Sequence, residues 1–274
     1  RPLGSERNAH VRFNLGICYL AQEVYDEAAD SMDQALADGL PPRQSERAAE
    51  VAYQCRRVIS GKHPSPEAHR KLAESAERLV NSFPDSKLAE EGRWVIGLAL
   101  QEAGDVLLAR QAFARVPASS EHYWDARRGE AVCAQKLHER ELGRGSPESL
   151  RRSAEVAVDL WRRFADDVKE TQNSPPRKGS KDQSSHPPSA RQSAQWQSEA
   201  RLAAAALLAS EAIGDFAEAL KLLDVAAFDA RSVGLRLRCF RATGQSEVAK
   251  QELLSFLKHA AEGGSPDAVL NLAV

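Results

Sequence analysis

The sequence predicts an all-α protein made of about six helix pairs that stack side by side as a solenoid. Three observations support this prediction. Apolar residues recur at steps of three and four along most of the chain, which is the period of a helix with one buried face. Turn sequences such as Gly-Asp and Gly-Gln separate these segments in pairs. No stretch alternates β-branched with polar residues as a half-buried strand does.

The composition indicates a foldable protein with a core of small and aliphatic side chains. Of the 274 residues, 42% are hydrophobic and 6% are aromatic, so Ala and Leu must supply most of the buried surface. The net charge of −2 does not favour nucleic acid or an anionic membrane as a partner. No apolar run approaches the ~20 residues of a membrane-spanning helix. We therefore expect no nucleic-acid partner and no membrane span, while the compartment, cytoplasm or bacterial cell envelope, stays open.

Four cysteines are spread over the chain, and no two are close enough in sequence to form a metal or redox motif. Each falls on a predicted helix face, where a free thiol behaves as a small apolar group. We therefore predict inert core thiols, which are compatible with a reducing compartment but do not establish one. The four residues are Cys18, Cys55, Cys133 and Cys239.

Both ends of the sequence suggest an excised piece of a longer protein. Residues 1–5, Arg-Pro-Leu-Gly-Ser, resemble the remnant of a purification tag. The chain ends in SPDAVLNLAV, which begins like a further helix.

The first helix pair shows the spacing on which the fold prediction depends. Its first helix carries a Leu-Gly-x-x-Tyr motif from Leu15, and its second helix an Ala-x-x-x-Met-x-x-Ala motif from Ala28. This pattern resembles the tetratricopeptide repeat, in which small residues let two helices approach closely and large residues fill the space beside them. Met32 stands where that family usually has an aromatic residue, and Arg12 where it has Trp. The resemblance implies a right-handed α–α superhelix.

The pattern recurs in three later units. The unit around Gly97 keeps the glycine of the first helix, whereas the units with turns at Gly214 and Gly244 lack it. Ser-Pro dipeptides at 65–66 and 146–147 predict an N-cap followed by the first helical residue. Helical periodicity without the motif covers residues 43–60, 66–83, 121–142 and 147–165.

Residues 81–105, NSFPDSKLAEEGRWVIGLALQEAGD, show a second resemblance. They are similar to repeats of bacterial cell-envelope assembly and division proteins, in which a helix ends in a Phe-Pro-Asp-Ser turn before the next helix. This similarity indicates a bacterial source.

Residues 168–195 interrupt the helical pattern. The segment has almost no apolar residues and is rich in Pro, Ser, Lys and Gln, so it cannot bury enough surface to offset its ordering entropy. It separates an N-terminal array, residues 6–167, from a C-terminal array, residues 196–274. A linker between two sub-arrays and a disordered insertion within one solenoid are both open, and the shared packing style on either side favours the insertion.

Catalytic chemistry is not predicted. No nucleotide-binding loop, zinc-protease motif or nucleophile elbow occurs. His63 and His69 bracket the start of a helix at a spacing that does not place both rings on one face, so a solvated loop is favoured over a metal site. Asp166 and Asp167 are adjacent and point in different directions on a helix. We expect no catalytic residue, metal or cofactor.

Binding is predicted on the concave surface lined by the first helix of each pair. The resemblance to tetratricopeptide repeats implies that positions two, five, nine and twelve of that helix face the groove. The partner-binding residues predicted on this basis are Phe13, Ile17, Trp94, Leu98, Gln101, Arg231, Arg238 and Arg241. The apolar members suit an apolar helix or extended peptide, unless neighbouring helices already cover them. The arginines suit an acidic segment, unless they form an ordinary solvated face.

These observations predict a non-catalytic scaffold that presents a groove to a protein or peptide partner. The Lys and Asn residues by which some tetratricopeptide proteins hold a peptide carboxylate are absent from the groove positions. Two alternatives stay open: a self-assembling coat-like or envelope segment, and the regulatory arm of a larger enzyme. Aromatic and basic residues do not share one fixed position per repeat, which argues against reading of RNA bases.

Overall fold

The computed structural model describes residues 3–173, 188–224 and 229–262, and within them the regular structure is entirely α-helical. Twelve helices occupy the described residues, which confirms the predicted fold class. They are α1 (Leu3–Ala21), α2 (Tyr25–Asp38), α3 (Pro42–Lys62), α4 (Pro66–Ser82), α5 (Ala89–Glu102), α6 (Val106–Ala114), α7 (Tyr123–Glu141), α8 (Pro147–Asn173), α9 (Ala190–Leu208), α10 (Phe216–Leu223), α11 (Ala230–Ala242) and α12 (Ser246–Glu262).

The chain folds as two compact units, residues 1–133 and residues 134–274. In the first unit, α1 to α6 each pack on the next helix in the sequence. In the second unit, α8 to α12 do the same. Each unit therefore has the sequential helix packing of a helical-repeat solenoid.

The margins of the segment predicted as disordered are helical. Helix α8 continues to Asn173 and α9 begins at Ala190, so the predicted limits of 168 and 195 were too wide at both ends. Val168, the first residue of the predicted segment, is fully buried and packs as part of α8. Residues 174–187, the remainder of that segment, lie outside the described residues, as do all of the C-terminal residues, 265–274, in which a further helix was predicted. At the other end, α1 begins within the predicted tag remnant, at Leu3.

Four helix pairs are joined by a turn with a left-handed residue at its apex. The residue at the apex has a positive φ of 59° at Glu23, 85° at Gly104, 71° at Gly214 and 74° at Gly244. Glycine adopts this left-handed conformation without steric cost, and Glu23 is the one non-glycine residue in the described chain that does so. The next backbone N–H closes the turn on the carbonyl five residues earlier at Val24, Asp105 and Gln245, for example Asp105 N to Leu100 O at 2.8 Å, and on the carbonyl seven residues earlier at Asp215. The predicted repeat is thus also a repeat of backbone conformation.

Close helix approach depends on the predicted glycines. A Cβ at Gly16 would lie 2.8 Å from Cε of Met32, and a Cβ at Gly97 would lie 2.5 Å from the Phe113 ring. Gly129 of α7 meets the other side of that ring, where a Cβ would lie 2.8 Å away. The predicted packing of a small residue on one helix against a large residue on its neighbour is therefore confirmed in both pairs.

The predicted helix starts at the Ser-Pro dipeptides are also confirmed. The Ser65 hydroxyl accepts a hydrogen bond from the Ala68 N–H at 3.1 Å, and the Ser146 hydroxyl accepts one from the Ser149 N–H at 3.2 Å. In each case Pro is the first helical residue, where its missing N–H costs nothing.

The two units bury different side chains. A core cluster of the first unit is built largely from alanines of α1, α2 and α3 around Met32 and Val51. In the second unit, Trp161 packs edge-on to Phe164, with ring centroids 6.2 Å apart, and Phe164 lies 5.8 Å from Trp196. The indole N–H of Trp161 donates to the side-chain oxygen of Gln135 at 3.1 Å.

Three cysteines are buried, as predicted, and one is not. Cys55, Cys133 and Cys239 are core thiols, and burial raises the pKa of Cys55 to about 11 and also raises that of Cys239. Cys18 is exposed, so the prediction of four buried thiols is wrong there. It lies on the face of α1 that points away from the core residues Ala9 and Gly16.

Candidate protein-interaction surfaces

The predicted groove face of the first unit contains a line of contacts between alternate helices. The Arg57 guanidinium of α3 lies 2.6 Å from the Glu91 carboxylate of α5. One turn further along α5, the Trp94 ring stacks on the His122 ring, with centroids 4.2 Å apart and planes 10° apart. Tyr53 is fully buried beside them, and burial, reinforced by the Glu91 carboxylate, raises its pKa to about 12. This face therefore joins neighbouring pairs to one another.

Neighbouring helices cover much of the predicted apolar set. Phe13 packs against the core cluster of the first unit, and Leu98 is half-buried. The Gln101 side-chain oxygen accepts a hydrogen bond from the Cys133 thiol at 3.5 Å. Trp94 is half-buried beneath His122, whereas Ile17 is 37% exposed. The structure thus does not bring these five residues together as one open apolar patch; their role in binding stays a prediction.

Ion pairs between helices use several arginines of the first unit. Arg56 of α3 is only 5% exposed and contacts two carboxylates of α2, Asp26 at 2.9 Å and Asp30. Arg78 of α4 contacts Asp33, also on α2. Burial raises the pKa of Asp33 despite the two cations nearby. The sequence contained a signal for this network, since these three aspartates recur at steps of four and three along α2 and so share one helix face.

Two histidines form side-chain hydrogen bonds between consecutive helices. His69 Nδ1 of α4 lies 2.6 Å from the Ser60 hydroxyl at the end of α3. His138 Nδ1 of α7 lies 3.0 Å from the Ser153 hydroxyl of α8. His63 lines a different place, a cleft of about 180 Å³ between α2, α3 and α4. The structure therefore does not bring His63 and His69 to a common site, and within the described residues no group of three His, Cys, Asp or Glu side chains is placed to hold a metal ion.

Helix α11 of the second unit presents the three predicted arginines on one exposed face. Arg231, Arg238 and Arg241 are all exposed, and their spacing of seven and three residues places them on one side of the helix. No carboxylate among the described residues forms an ion pair with them. Arg236 differs, because it is half-buried, lies 2.9 Å from the Glu252 carboxylate of α12 and donates to the Leu223 carbonyl. We name Arg231, Arg238 and Arg241 the arginine face.

The geometry of the arginine face suits a short acidic segment. At 1.5 Å rise per residue, the three Cα atoms span about 15 Å along the helix axis. An extended peptide covers that distance in about five residues. A guanidinium can form two parallel hydrogen bonds to one carboxylate, which gives such contacts orientation as well as attraction.

None of the described helices is both long and apolar enough to cross a membrane.

A cleft of about 320 Å³ lies between α4 and the α5–α6 pair of the first unit, with Ala73, Leu100 and Ala112 at its floor. Arg70 at its rim lies 2.7 Å from Asp105, and this contact raises the pKa of Arg70.

Comparisons with known proteins do not place the chain in a family. No model of a protein family matches the sequence, and no curated protein matches it. Among solved structures, the chain is similar to the crystal structure of PilW, described as a widely conserved type IV pilus biogenesis factor. The similarity covers 97% of this chain and 98% of that chain, at 14% sequence identity and a TM-score of 0.34.

Proposed function

We propose that this chain is a non-catalytic, tetratricopeptide-like interaction scaffold whose arginine face binds an acidic segment of a partner protein. The observation that supports the proposal is the contrast within α11. Arg236 is held by the Glu252 carboxylate, whereas Arg231, Arg238 and Arg241 are exposed and have no carboxylate partner among the described residues. Three positive charges on one helix face attract an anionic ligand and orient it.

The arginine face orients the partner and raises the rate of association, but it adds little to the affinity. Each solvent-exposed ion pair contributes only about 0.2–1 kcal/mol, because water and salt screen the charges. Tight binding therefore requires apolar side chains of the partner in addition to its carboxylates. The partner segment we propose alternates acidic and apolar residues, since such a peptide places its carboxylates on one side.

Peptide binding to charge-reversed variants tests the proposal. The probe is a fluorescent peptide that alternates glutamate and leucine, with a matched peptide that has glutamine in place of each glutamate. Replacement of Arg231, Arg238 and Arg241 by Glu is expected to weaken binding of the glutamate peptide at least about tenfold, or about 1.4 kcal/mol. Fluorescence anisotropy at low and high salt measures this, and the glutamine peptide is expected to bind weakly throughout.

A second triple variant controls for total charge. Arg144, Arg152 and Arg163 are exposed residues of the same unit, and their replacement by Glu changes the net charge by the same amount. We expect this variant to keep at least half of the affinity of the unmodified chain. Equal losses in the two triple variants would show that the peptide senses net charge alone, and an unaffected arginine-face variant would remove α11 from the proposal.

A further inference from the structure

Helices α2 and α3 of the first unit are repeated by α4 and α5 in register and in burial. The same number of residues separates Ala28 of α2 from Leu72 of α4 and Cys55 of α3 from Ala99 of α5. Every buried residue of α2 is matched in this register by a buried residue of α4. These pairs are Ala28 and Leu72, Ala29 and Ala73, Ser31 and Ser75, Met32 and Ala76, and Ala35 and Leu79.

In the first of these stretches, one buried guanidinium contacts a row of carboxylates on α2. Arg56 of α3 is 5% exposed, and its Nη1 lies 2.9 Å from the Asp26 carboxylate. Its Nη2 contacts Asp30 and lies 4.0 Å from Asp33. Arg78 of α4 also contacts Asp33. Every carboxylate of the row therefore has a cation beside it.

The second stretch keeps two of the carboxylates but lacks the buried cation. Glu74 and Glu77 of α4 stand where α2 has Asp30 and Asp33. Leu100 of α5, which is 9% exposed, stands at the place of the buried arginine. Both glutamates are exposed, and neither forms an ion pair with a residue that the structure describes. We name Glu74 and Glu77 the glutamate pair.

The cleft of about 320 Å³ lies where the cation is missing. The glutamate pair lines it from α4, and Leu100 and Ala112 lie at its floor. Leu108 of α6, which is 53% exposed, lines it from the other side. The cleft thus combines an apolar surface with two carboxylates that lack a cation.

The two arginines that line the cleft do not neutralise the glutamate pair. Arg70 stands where α2 has Asp26, and it is paired with Asp105 at 2.7 Å. Arg115 of α6 is exposed and forms no ion pair with a carboxylate of the described residues. The glutamate pair is therefore open to a further cation.

We propose that this cleft is a binding site for an arginine side chain from outside the described residues. Its guanidinium contacts the glutamate pair as Arg56 contacts the carboxylates of α2, and its methylene groups lie against Leu100 and Leu108. A volume of about 320 Å³ is at the low end of ligand pockets, about 300–1,000 Å³, so it suits one long side chain and not a helix. The site is separate from the arginine face and does not depend on it.

Arginine fits this site better than lysine. In the first stretch, Arg56 uses two different nitrogen atoms for two carboxylates, Nη1 for Asp26 and Nη2 for Asp30. An ammonium group has a single nitrogen and acts as a point charge, so it cannot reproduce this geometry. The arginine can come from a peptide segment of another protein or from a segment of this one, and the experiment distinguishes these sources.

The probe is attached next to the cleft, because a single side chain binds weakly and attachment raises its effective concentration. Gln111→Cys introduces an exposed thiol among the residues that line the cleft. Two short peptides, each with one cysteine and either arginine or citrulline, compete for this thiol by reversible disulfide exchange. Citrulline has nearly the shape of arginine but no charge. Cys18, the exposed native cysteine, does not line the cleft and serves as the internal reference.

The arginine peptide is expected to win this competition only beside the cleft. At equilibrium, mass spectrometry is expected to show a preference for arginine over citrulline of about fivefold at the introduced thiol and none at Cys18. A lysine peptide is expected to show a smaller preference. No preference at the introduced thiol, together with an unchanged stability of the chain without the glutamate pair, would overturn the proposal.

Matched variants identify the groups responsible. Glu74→Gln with Glu77→Gln is expected to abolish the preference, and so is Leu100→Arg, which restores the cation of the first stretch. Glu27→Gln with Glu102→Gln removes two exposed glutamates that do not line the cleft and is expected to retain the preference. Circular dichroism confirms that each variant is folded. Equal losses in the two glutamine variants, or a preference that survives the loss of the glutamate pair, would overturn the proposal.

Urea titration of the chain without a probe distinguishes the two sources of the arginine. If the cleft of the chain alone is empty, loss of two neighbouring like charges is expected to leave the midpoint of Glu74→Gln with Glu77→Gln unchanged or slightly higher. This result, together with the arginine preference, supports a ligand from another protein. A midpoint below that of the variant with Glu27→Gln and Glu102→Gln supports the same site with an arginine of this chain as its ligand.

Discussion

Arginine side chains make different contacts in the two compact units. In residues 1–133, five arginines contact a carboxylate on another helix or at its end, so each stabilises the packing of helices. These are Arg12, Arg56, Arg57, Arg70 and Arg78. Helix α11 of the second unit carries four arginines. Within the described residues, only Arg236 has such a carboxylate. The difference shows that the facing helix, and not the residue type, decides whether an arginine stabilises the fold or is available to a partner.

The cores of the two units also differ in the side chains that fill the space between helices. The first unit brings helices close through alanine and glycine and adds ion pairs at the margins of the contacts. The second unit fills the space between α8 and α9 with the rings of Trp161, Phe164 and Trp196. Large rings bury more apolar surface per residue. Ion pairs between helices also occur in this unit, at Arg162–Glu218 and Arg236–Glu252. Each of the following predictions tests one side of this contrast.

The largest expected effect is the loss of the central ring of the second unit. Trp161 is 2% exposed, contacts Phe164 and donates to Gln135. We expect Trp161→Ala to lower the free energy of unfolding by about 3–5 kcal/mol, because it leaves a large cavity and an unsatisfied amide. Urea titration followed by circular dichroism measures the loss. Trp161→Phe keeps most of the ring contact, and a loss as large as that of the alanine variant would show that the indole hydrogen bond is more important than ring packing.

The next effect concerns the glycines of the first unit. Gly97→Ala places a methyl group against the Phe113 ring, which Gly129 contacts from the other side, so the ring has little room to move. We expect a net destabilisation of about 2 kcal/mol, after the roughly 1 kcal/mol by which Ala favours a helix over Gly. Gly16→Ala is the matched control. Its methyl group meets the flexible end of Met32, and we expect a change within about 1 kcal/mol of zero. Equal losses in urea titrations would contradict the distinction between a confined ring and a flexible side chain.

The arginine contrast predicts a smaller difference in stability. Arg56→Met removes a buried cation from the Asp26 and Asp30 carboxylates, which are themselves largely exposed. We therefore expect a loss of about 1–2 kcal/mol, below the usual cost of breaking a fully buried pair. Arg238→Met removes an exposed cation without an ion-pair partner in the described residues and is expected to change stability by less than about 0.5 kcal/mol. If the two variants unfold at the same urea concentration, Arg56 does not stabilise the helix packing.

Sequence periodicity was sufficient to predict features that depend on one helix or one helix pair. The close approach at Gly16 and Gly97 and the Ser-Pro helix starts were all predicted, since each depends on residues close together in the sequence. The stack of Trp94 on His122 was not predicted, because it depends on how far one helix pair is rotated on the next. Cys18 shows the same limit: it follows Gly16 by two residues, as buried Ala99 follows Gly97, but the described residues place no helix on the outer side of α1 as α4 lies on α5. Periodicity gives the side of a helix that can be covered, but not which helix covers it.

Tyr53 provides the smallest and most local test of the first unit. Burial next to the Glu91 carboxylate raises its pKa from 10.0 to about 12, so the phenol of the folded chain stays protonated where that of the unfolded chain ionises. The folded state then binds more protons between about pH 10 and 12, and the stability contributed by this group falls as pH rises through that range. Tyr53→Phe is expected to remove that part of the pH dependence of the unfolding free energy and to abolish the last-titrating step in the absorbance at 295 nm. Tyr19→Phe is the matched control and is expected to retain both, because the buried phenol beside Arg57 and Glu91 is intact in that variant. A late titration step that survives Tyr53→Phe would belong to another tyrosine, and it would show that Tyr53 is not the group with the raised pKa.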